Sequence, residues 1–226
     1  MRYISTRVQA PVLPFEETLL AGLARDGGLY VPDSLPSLRP ELADLSGKSY
    51  EEVAFHVMWP FVEDSFEEDA FRRLIDEAYA GFDTVLRCPL AQIGPNAWLL
   101  ELHHGPTLAF KDVAMQLIGR MFEHVLERRG ERVTIVGATS GDTGSAAIEA
   151  FRANTAADVF VLYPNGRVSE VQRRQMTTPT EPNVHALAVE GDFDDCQALV
   201  KAMFNDLAFR DEVRLAAVNS INWARV

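Results

Sequence analysis

The chain has 226 residues, 47% of them hydrophobic and 24% charged, with a formal net charge of −12. That length buries a sizeable core as one large α/β unit or two smaller domains, and the charge repels nucleic acid and anionic membrane surfaces. Its two cysteines, Cys88 and Cys196, are too few for a disulfide framework and read as inert thiols, while the absence of any apolar run near the ~18 to 20 residues of a membrane helix, or of a secretion signal in MRYISTRVQAPVLPF, leads to the expectation of a cytoplasmic protein with no membrane and no nucleic-acid partner.

Up to about Leu86 the pattern is mainly helical. FEETLLAGLA, from Phe15 to Ala24, carries apolar residues at helical spacing and predicts a helix stopping near Asp26-Gly27-Gly28, before the short extended LYVP. PDSLPSLRP is a proline-rich loop. YEEVAFHVMWPFV and FEEDAFRRLIDEAYAGF predict two further amphipathic helices, with Pro60 interrupting the first. The arginine pairs Arg72-Arg73, Arg128-Arg129 and Arg173-Arg174 read as solvated surface.

From Cys88 onward the rhythm changes. Ala97 to Leu102 predicts a strand, Lys111 to Arg129 a helix, RVTIVG a strand, Thr143 to Ala153 a helix, DVFVLYP a strand and Val168 to Met176 a short helix. NVHALAVE is a strand, Asp194 to Ala208 a helix with Leu199, Val200, Met203, Phe204 and Leu207 on one side, and VRLAAVN a further strand. Apolar strands alternating with helices imply a parallel sheet covered on both faces. Such open sheets bind ligands beyond the carboxyl ends of their strands. HHGPTLAFK, GATSGDTGS and NSIN lie there.

GATSGDTGS follows an apolar strand and opens a helix with small residues, Gly141, Thr143, Gly144 and Ser145 among them. Glycines let backbone approach a ligand, and the amides at a helix start attract an anion, so the loop suits a carboxylate or phosphate. A tight turn capped by Thr139, Ser140 or Asp142 is the structural alternative.

Lys111 is one of only three lysines, beside eighteen arginines. It follows a Gly-Pro turn and apolar Leu108, Ala109 and Phe110, at the start of a helix. A helix N-terminus disfavours positive charge, and desolvation lowers an amine's pKa from its reference of about 10.4, which makes a neutral nucleophile accessible. A neutral lysine amine condenses with aldehydes, the way pyridoxal phosphate is held. Asp112 reads as a first-turn acid. His103 and His104, taken as strand neighbours, point to opposite faces and do not jointly bind a metal, and no metal-ligand cluster is expected.

HGPTLAFKD and, about thirty residues on, ATSGDTGSAA together resemble the threonine synthases, pyridoxal-phosphate enzymes of the tryptophan synthase β-like fold type. LYVP, VLYPNGRVSEVQRRQM, EGDFDDCQALVKAMFND and VNSINWAR extend the resemblance over nearly the whole chain. It implies a mainly helical N-terminal domain over residues 1–87, followed over 88–226 by an incomplete, open, mostly parallel αβα sandwich. The cofactor would be pyridoxal 5'-phosphate. The resemblance puts the catalytic lysine at Lys111, with Phe110 and Asp142 beside the cofactor, and the substrate on Thr139, Ser140, Gly141, Asp142, Thr143, Asn219, Ser220 and Asn222. Arg225, just beyond, would meet the substrate's phosphate. An acid at Asp142, where related enzymes have asparagine, would be protonated or turned aside.

The implied reaction converts O-phospho-L-homoserine and water into L-threonine and phosphate. The fold type supplies its cofactor-phosphate loop from segments C-terminal to those present, so the expected partner is the missing C-terminal half of the same enzyme. A non-catalytic domain that binds a phosphorylated amino acid or a partner protein is the alternative. Gly137-Ala138-Thr139-Ser140-Gly141 also resembles the opening of the short-chain dehydrogenase glycine motif, but Gly144 comes three residues after Gly141 instead of two, and no tyrosine lies four residues before a lysine.

Overall fold

The computed structural model describes residues 1–39, 41–218 and 222–225. Strand β1 (Tyr3–Ser5), helix α1 (Phe15–Ala21) and strand β2 (Tyr30–Pro32) open the chain, with β1 and β2 antiparallel. Helix α1 stops at Gly22, earlier than Ala24, because Leu23 is already bridged to Leu29. Helix α2 (Tyr50–Val62) starts on a reciprocal capping box between Ser49 and Glu52. It runs through Pro60 without interruption, contrary to expectation. Only two helical residues follow that proline, so the one hydrogen bond it removes lies in the frayed last turn, and Val62 is held there by burial. Helix α3 (Glu68–Tyr79) buries Phe71, Leu74, Ile75 and Tyr79.

Strands β3 (Leu90–Gly94) and β4 (Ala97–Leu100) make an antiparallel hairpin that, among the described residues, joins no larger sheet. The expected strand at Ala97 to Leu102 is therefore shorter and is not the first strand of the parallel set. Apolar strands predict burial on both faces, but Leu90 and Ile93 of β3 and Trp98, Leu99 and Leu100 of β4 are all exposed.

The remainder alternates as the periodicity requires: α4 (Asp112–Arg129), β5 (Val133–Ala138), α5 (Asp142–Phe151), β6 (Ala157–Pro164), α6 (Glu170–Thr177), β7 (Val184–Val189), α7 (Phe193–Asn205), α8 (Leu207–Glu212) and β8 (Leu215–Ala216). Asp206 splits the expected Asp194 to Ala208 helix by turning extended and capping α8 through the amide of Phe209. The four strands are parallel in the order β7-β6-β5-β8, so the chain winds one way from β5 and then returns to β5's other side. That reversal creates a crevice at the carboxyl ends of β5 and β8.

Helices α4 and α5 pack together on one face of the sheet, and α7 packs on β5 and β6. The larger core joins residues from both sides of position 87, including Tyr3, Phe15, Phe71, Phe122 and Phe151. Phe122 and Phe151 are fully buried and meet edge to face at 5.5 Å, and burial of each ring contributes about 1.5 to 3 kcal/mol. A smaller core of Val136, Leu162, Cys196, Phe204, Leu215 and Ala217 lies under α7. On α7 Cys196 and Phe204 are buried, while Leu199, and Leu207 at the start of α8, both expected on the same inward side, are exposed. Arg128 and Arg129 are not idle surface either. Both pair with Glu16, which ties the end of α4 to α1.

Candidate active site

The segment before α4 is shaped by one carboxylate. Asp112 is fully buried, its Oδ2 accepts from the Thr107 amide at 2.8 Å, and its Oδ1 accepts from the Thr107 hydroxyl at 2.9 Å. A side chain at Gly105 would collide with Asp112, so only glycine lets the turn close this tightly. Burial, the largest influence, raises the pKa of Asp112, and the Thr107 bonds oppose it. Leu108 sits in the left-handed region at φ 63°, and Gln175 of α6 donates to the Thr107 carbonyl at 3.1 Å. The sequence reading of Asp112 as a first-turn acid missed its larger job, which is to hold the loop that aims Lys111.

Lys111 is the N-cap residue of α4. Its side chain is 16% exposed, and its Nζ lies 3.8 Å from Asp142 Oδ2 and 4.1 Å from the centroid of the exposed Phe110 ring. Desolvation is the main cause that lowers its pKa, the Arg225 guanidinium adds to this, and Asp142 opposes it. Arg225 itself is pushed down by burial. Lys111, Asp142 and Arg225 thus meet from the start of α4, the start of α5 and a short turn of 3-10 helix at Trp223–Arg225.

The Thr139 to Gly144 loop is largely self-capped. Thr139 is buried, and its hydroxyl accepts from the amides of Gly141 at 2.9 Å and Gly144 at 2.8 Å. Asp142 Oδ1 accepts from the Thr143 amide at 2.8 Å. Gly141 has φ 138°, and a Cβ there would strike Gln172 of α6. Three amides that an incoming anion could have used are therefore already taken. Ser140 is exposed, and Thr143 lines the same cavity as Lys111.

That cavity has a volume of about 460 Å³, and its walls include Lys111, Thr143, Arg225 and the α7 residues Gln197 and Lys201. Asn222 does not face it. Asn222 is fully buried, with its amide donating to the carbonyls of Leu19 and Ala217 at 2.8 Å each. It anchors the turn that carries Arg225. Asn219 and Ser220 lie outside the described residues. Gln197 and Lys201 were missed as site residues, although their four-residue spacing was legible.

The histidines depart from expectation. Residues 101–104 are not a strand, so alternation does not apply, and the rings of His103 and His104 stack at 4.5 Å. Ligand atoms of Glu101, His103 and His104 lie within 4.8 Å of one another, a grouping that could hold a metal ion. His104 Nδ1 lies 2.6 Å from Asp83 and its Nε2 3.0 Å from Glu101. Bonds to Glu101 first, then to Asp83, raise the pKa of His104, and in its protonated form the ring has one N–H for each carboxylate.

The family described as "Threonine synthase N terminus" matches residues 2–79. The chain is 58% identical to the threonine synthase of Pseudomonas aeruginosa over 100% of its own length and 48% of that relative. It is 44% identical to that of Saccharomyces cerevisiae, over 99% of this chain and 47% of the relative. Among solved structures, pyridoxal-phosphate-bound threonine synthase from Brucella melitensis matches with a TM-score of 0.92 and 59% identity, over 100% of this chain and 49% of that one. Yeast threonine synthase matches with a TM-score of 0.88 and 43% identity, over 99% and 47% respectively. The chain spans about half the length of these relatives. The α/β architecture is theirs, and the dehydrogenase resemblance of the glycine loop goes no further than its first five residues. By sequence and by fold, this chain corresponds over its whole length to the N-terminal half of the threonine synthases.

Proposed function

We propose that this chain forms the first half of a threonine synthase, a carbon-oxygen lyase that converts O-phospho-L-homoserine and water into L-threonine and phosphate with pyridoxal 5'-phosphate as cofactor. The observation that carries the reading is the Lys111 amine, desolvated beside Arg225 and facing a cavity of about 460 Å³ at the carboxyl edge of the sheet. An amine with a lowered pKa is neutral in a larger share of molecules, which fits an aldehyde cofactor. Bound pyridoxal phosphate supplies an electron sink for charge developing at the substrate's Cα.

The chain's own residues do the rest. Lys111 Nζ would hold the cofactor through its aldehyde carbon, with loss of water, and, once displaced by the substrate's amine, would take the Cα proton, give it up to the conjugated cofactor and so regain a neutral amine, and then take the Cβ proton. Asp142 Oδ2, 3.8 Å from Nζ, keeps the amine oriented between these transfers. Ser140 and Thr143 offer hydroxyls to the substrate carboxylate, and Phe110 lays an apolar ring beside the amine. Arg225 offers a planar fork to the phosphate. Thr139, Gly141 and Asn222 act by shaping these walls. The partner that completes the site is the C-terminal half of the same enzyme.

The test adds pyridoxal phosphate to this chain and to the full-length gene product, records the absorption spectrum, reduces with borohydride and maps the modified peptide. A label confined to Lys111, and absent from Lys48 and Lys201, is the expected result. No label on Lys111 in the full-length protein overturns the proposal and favours a non-catalytic domain that binds a phosphorylated amino acid or a partner protein.

A further inference from the structure

Helix α7 has a face that the core does not use. Cys196 and Phe204 point into the smaller core with Val200 and Met203 packed against it, whereas Phe193, Gln197, Lys201 and Asn205 recur every four residues and line the cavity that holds Lys111 and Arg225. Residues at that spacing form one stripe along a helix. The stripe is polar at its centre, and its charge is one of only three lysines in a chain of net charge −12. Among the described residues no carboxylate lies within 4.0 Å of the Lys201 Nζ, although thirty-three acids are available in the sequence.

Three cations from three separate elements, the N-cap of α4, the turn after β8 and the middle of α7, therefore surround one cavity. Each raises the cost of the others in the absence of an anion, as the lowered pKa of Lys111 beside Arg225 illustrates. A monoanionic carboxylate does not need three. A phosphate monoester carries about −1.5 to −2 charges near neutral pH, which matches two cations once Lys111 is committed to chemistry. Arg225 can grip phosphate oxygens in a fork, and a lysine adds a compact point charge. Gln197, one turn earlier on the same stripe, adds an amide donor.

We infer that the Gln197-Lys201 stripe of α7 is a phosphomonoester subsite that, with Arg225, selects a phosphorylated amino acid over its unphosphorylated counterpart. This rests on the proposed function for the identity of the substrate, but the subsite itself takes phosphate whatever chemistry follows. Released product lacking the ester loses these contacts, so the same stripe distinguishes substrate from product.

The experiment uses the full-length holoenzyme with Lys201→Gln, Lys201→Arg and Gln197→Leu. Lys201 is exposed on its helix, so the fold is not at stake. Expected for Lys201→Gln are a rise of tenfold or more in KM for O-phospho-L-homoserine, kcat within about twofold, and a parallel weakening of inhibition by inorganic phosphate. Lys201→Arg should recover most of the affinity, and the cofactor's absorption and Lys111 labelling should not change. Unchanged KM and unchanged phosphate inhibition in Lys201→Gln would overturn the inference. Calorimetric titration with inorganic phosphate separates the two readings: phosphate binding lost in Lys201→Gln sustains the subsite even if Lys111 takes no label, and binding that survives the substitution sinks it even if Lys111 is labelled.

Discussion

Replacing Asp112 by alanine should unfasten the loop that aims Lys111. The carboxylate is fully buried and is the acceptor for both the amide and the hydroxyl of Thr107, at 2.8 and 2.9 Å. Removing it leaves two buried donors unsatisfied at about 1 to 3 kcal/mol each, partly offset because a buried charge disappears, so the net loss should be about 2 to 4 kcal/mol. Asp112→Asn keeps one acceptor but turns an NH₂ toward a donor, and about 1 to 2 kcal/mol should be lost. The pH dependence has a definite sign. Burial raises the folded pKa of Asp112 above its unfolded value of about 3.9, so its protonation stabilises the fold below that value and the contribution is lost as pH rises through the folded pKa. The advantage of the native residue over Asn should therefore be largest in acid. The assay is urea unfolding of this chain between pH 3.5 and 8, with the rate of Lys111 labelling by pyridoxal phosphate and borohydride alongside. An Asp112→Ala protein within about 0.5 kcal/mol of the parent, with the same labelling rate, would refute the assignment.

Three further outcomes follow from the same geometry. Gly141→Ala meets both a φ of 138° and the side chain of Gln172, and should lose about 2 to 4 kcal/mol. Adding Gln172→Ala should recover the steric part but not the backbone part, so full recovery in the double variant would contradict the strain argument. For His104, bonded to Glu101 and Asp83, the folded pKa lies above the unfolded value of about 6.5, so its stabilising contribution is complete below pH 6.5 and is lost as pH rises through the folded pKa. His104→Gln should flatten this slope, and nuclear magnetic resonance titration of the imidazole should read a raised midpoint; an unshifted midpoint would refute it. The exposed apolar hairpin, with Ile93, Trp98, Leu99 and Leu100 on its surface, should make this chain bind anilinonaphthalene sulfonate and scatter light at high concentration. Trp98→Ser with Leu100→Ser should reduce both signals, and a failure to do so would locate the sticky surface elsewhere.

Much of the fold was legible because it is written in local periodicity. The strands at RVTIVG and DVFVLYP and the helix ending at Arg129 needed only apolar spacing and a glycine stop, and Gly130 does take the left-handed conformation. The hairpin was misassigned because an apolar run records hydrophobicity and not the face that covers it. Pro60 was overweighted because a proline in the final turn removes a bond that would have been weak anyway. The grouping of His103 with His104 was not legible because the alternation that would separate them holds only in a strand, and residues 101–104 form none.

By itself, the sequence determined the α/β alternation, the two loops HGPTLAFKD and GATSGDTGS, and the singling out of Lys111, since each depends on residues within one turn or one strand of each other. Only the tertiary structure decided that Lys111, Arg225 and Lys201 share a cavity with Asp142 beside the Lys111 amine, that Thr139 spends its hydroxyl on the loop, and that Asn222 serves as an anchor. Those facts depend on which side of β5 the strand β8 returns to. Two strand orders with the same local pattern bury nearly the same apolar area, so hydrophobic periodicity is silent between them. The choice is made by contacts between segments far apart in the chain, such as the α4 start and the turn after β8, and those contacts exist only once the sheet has formed.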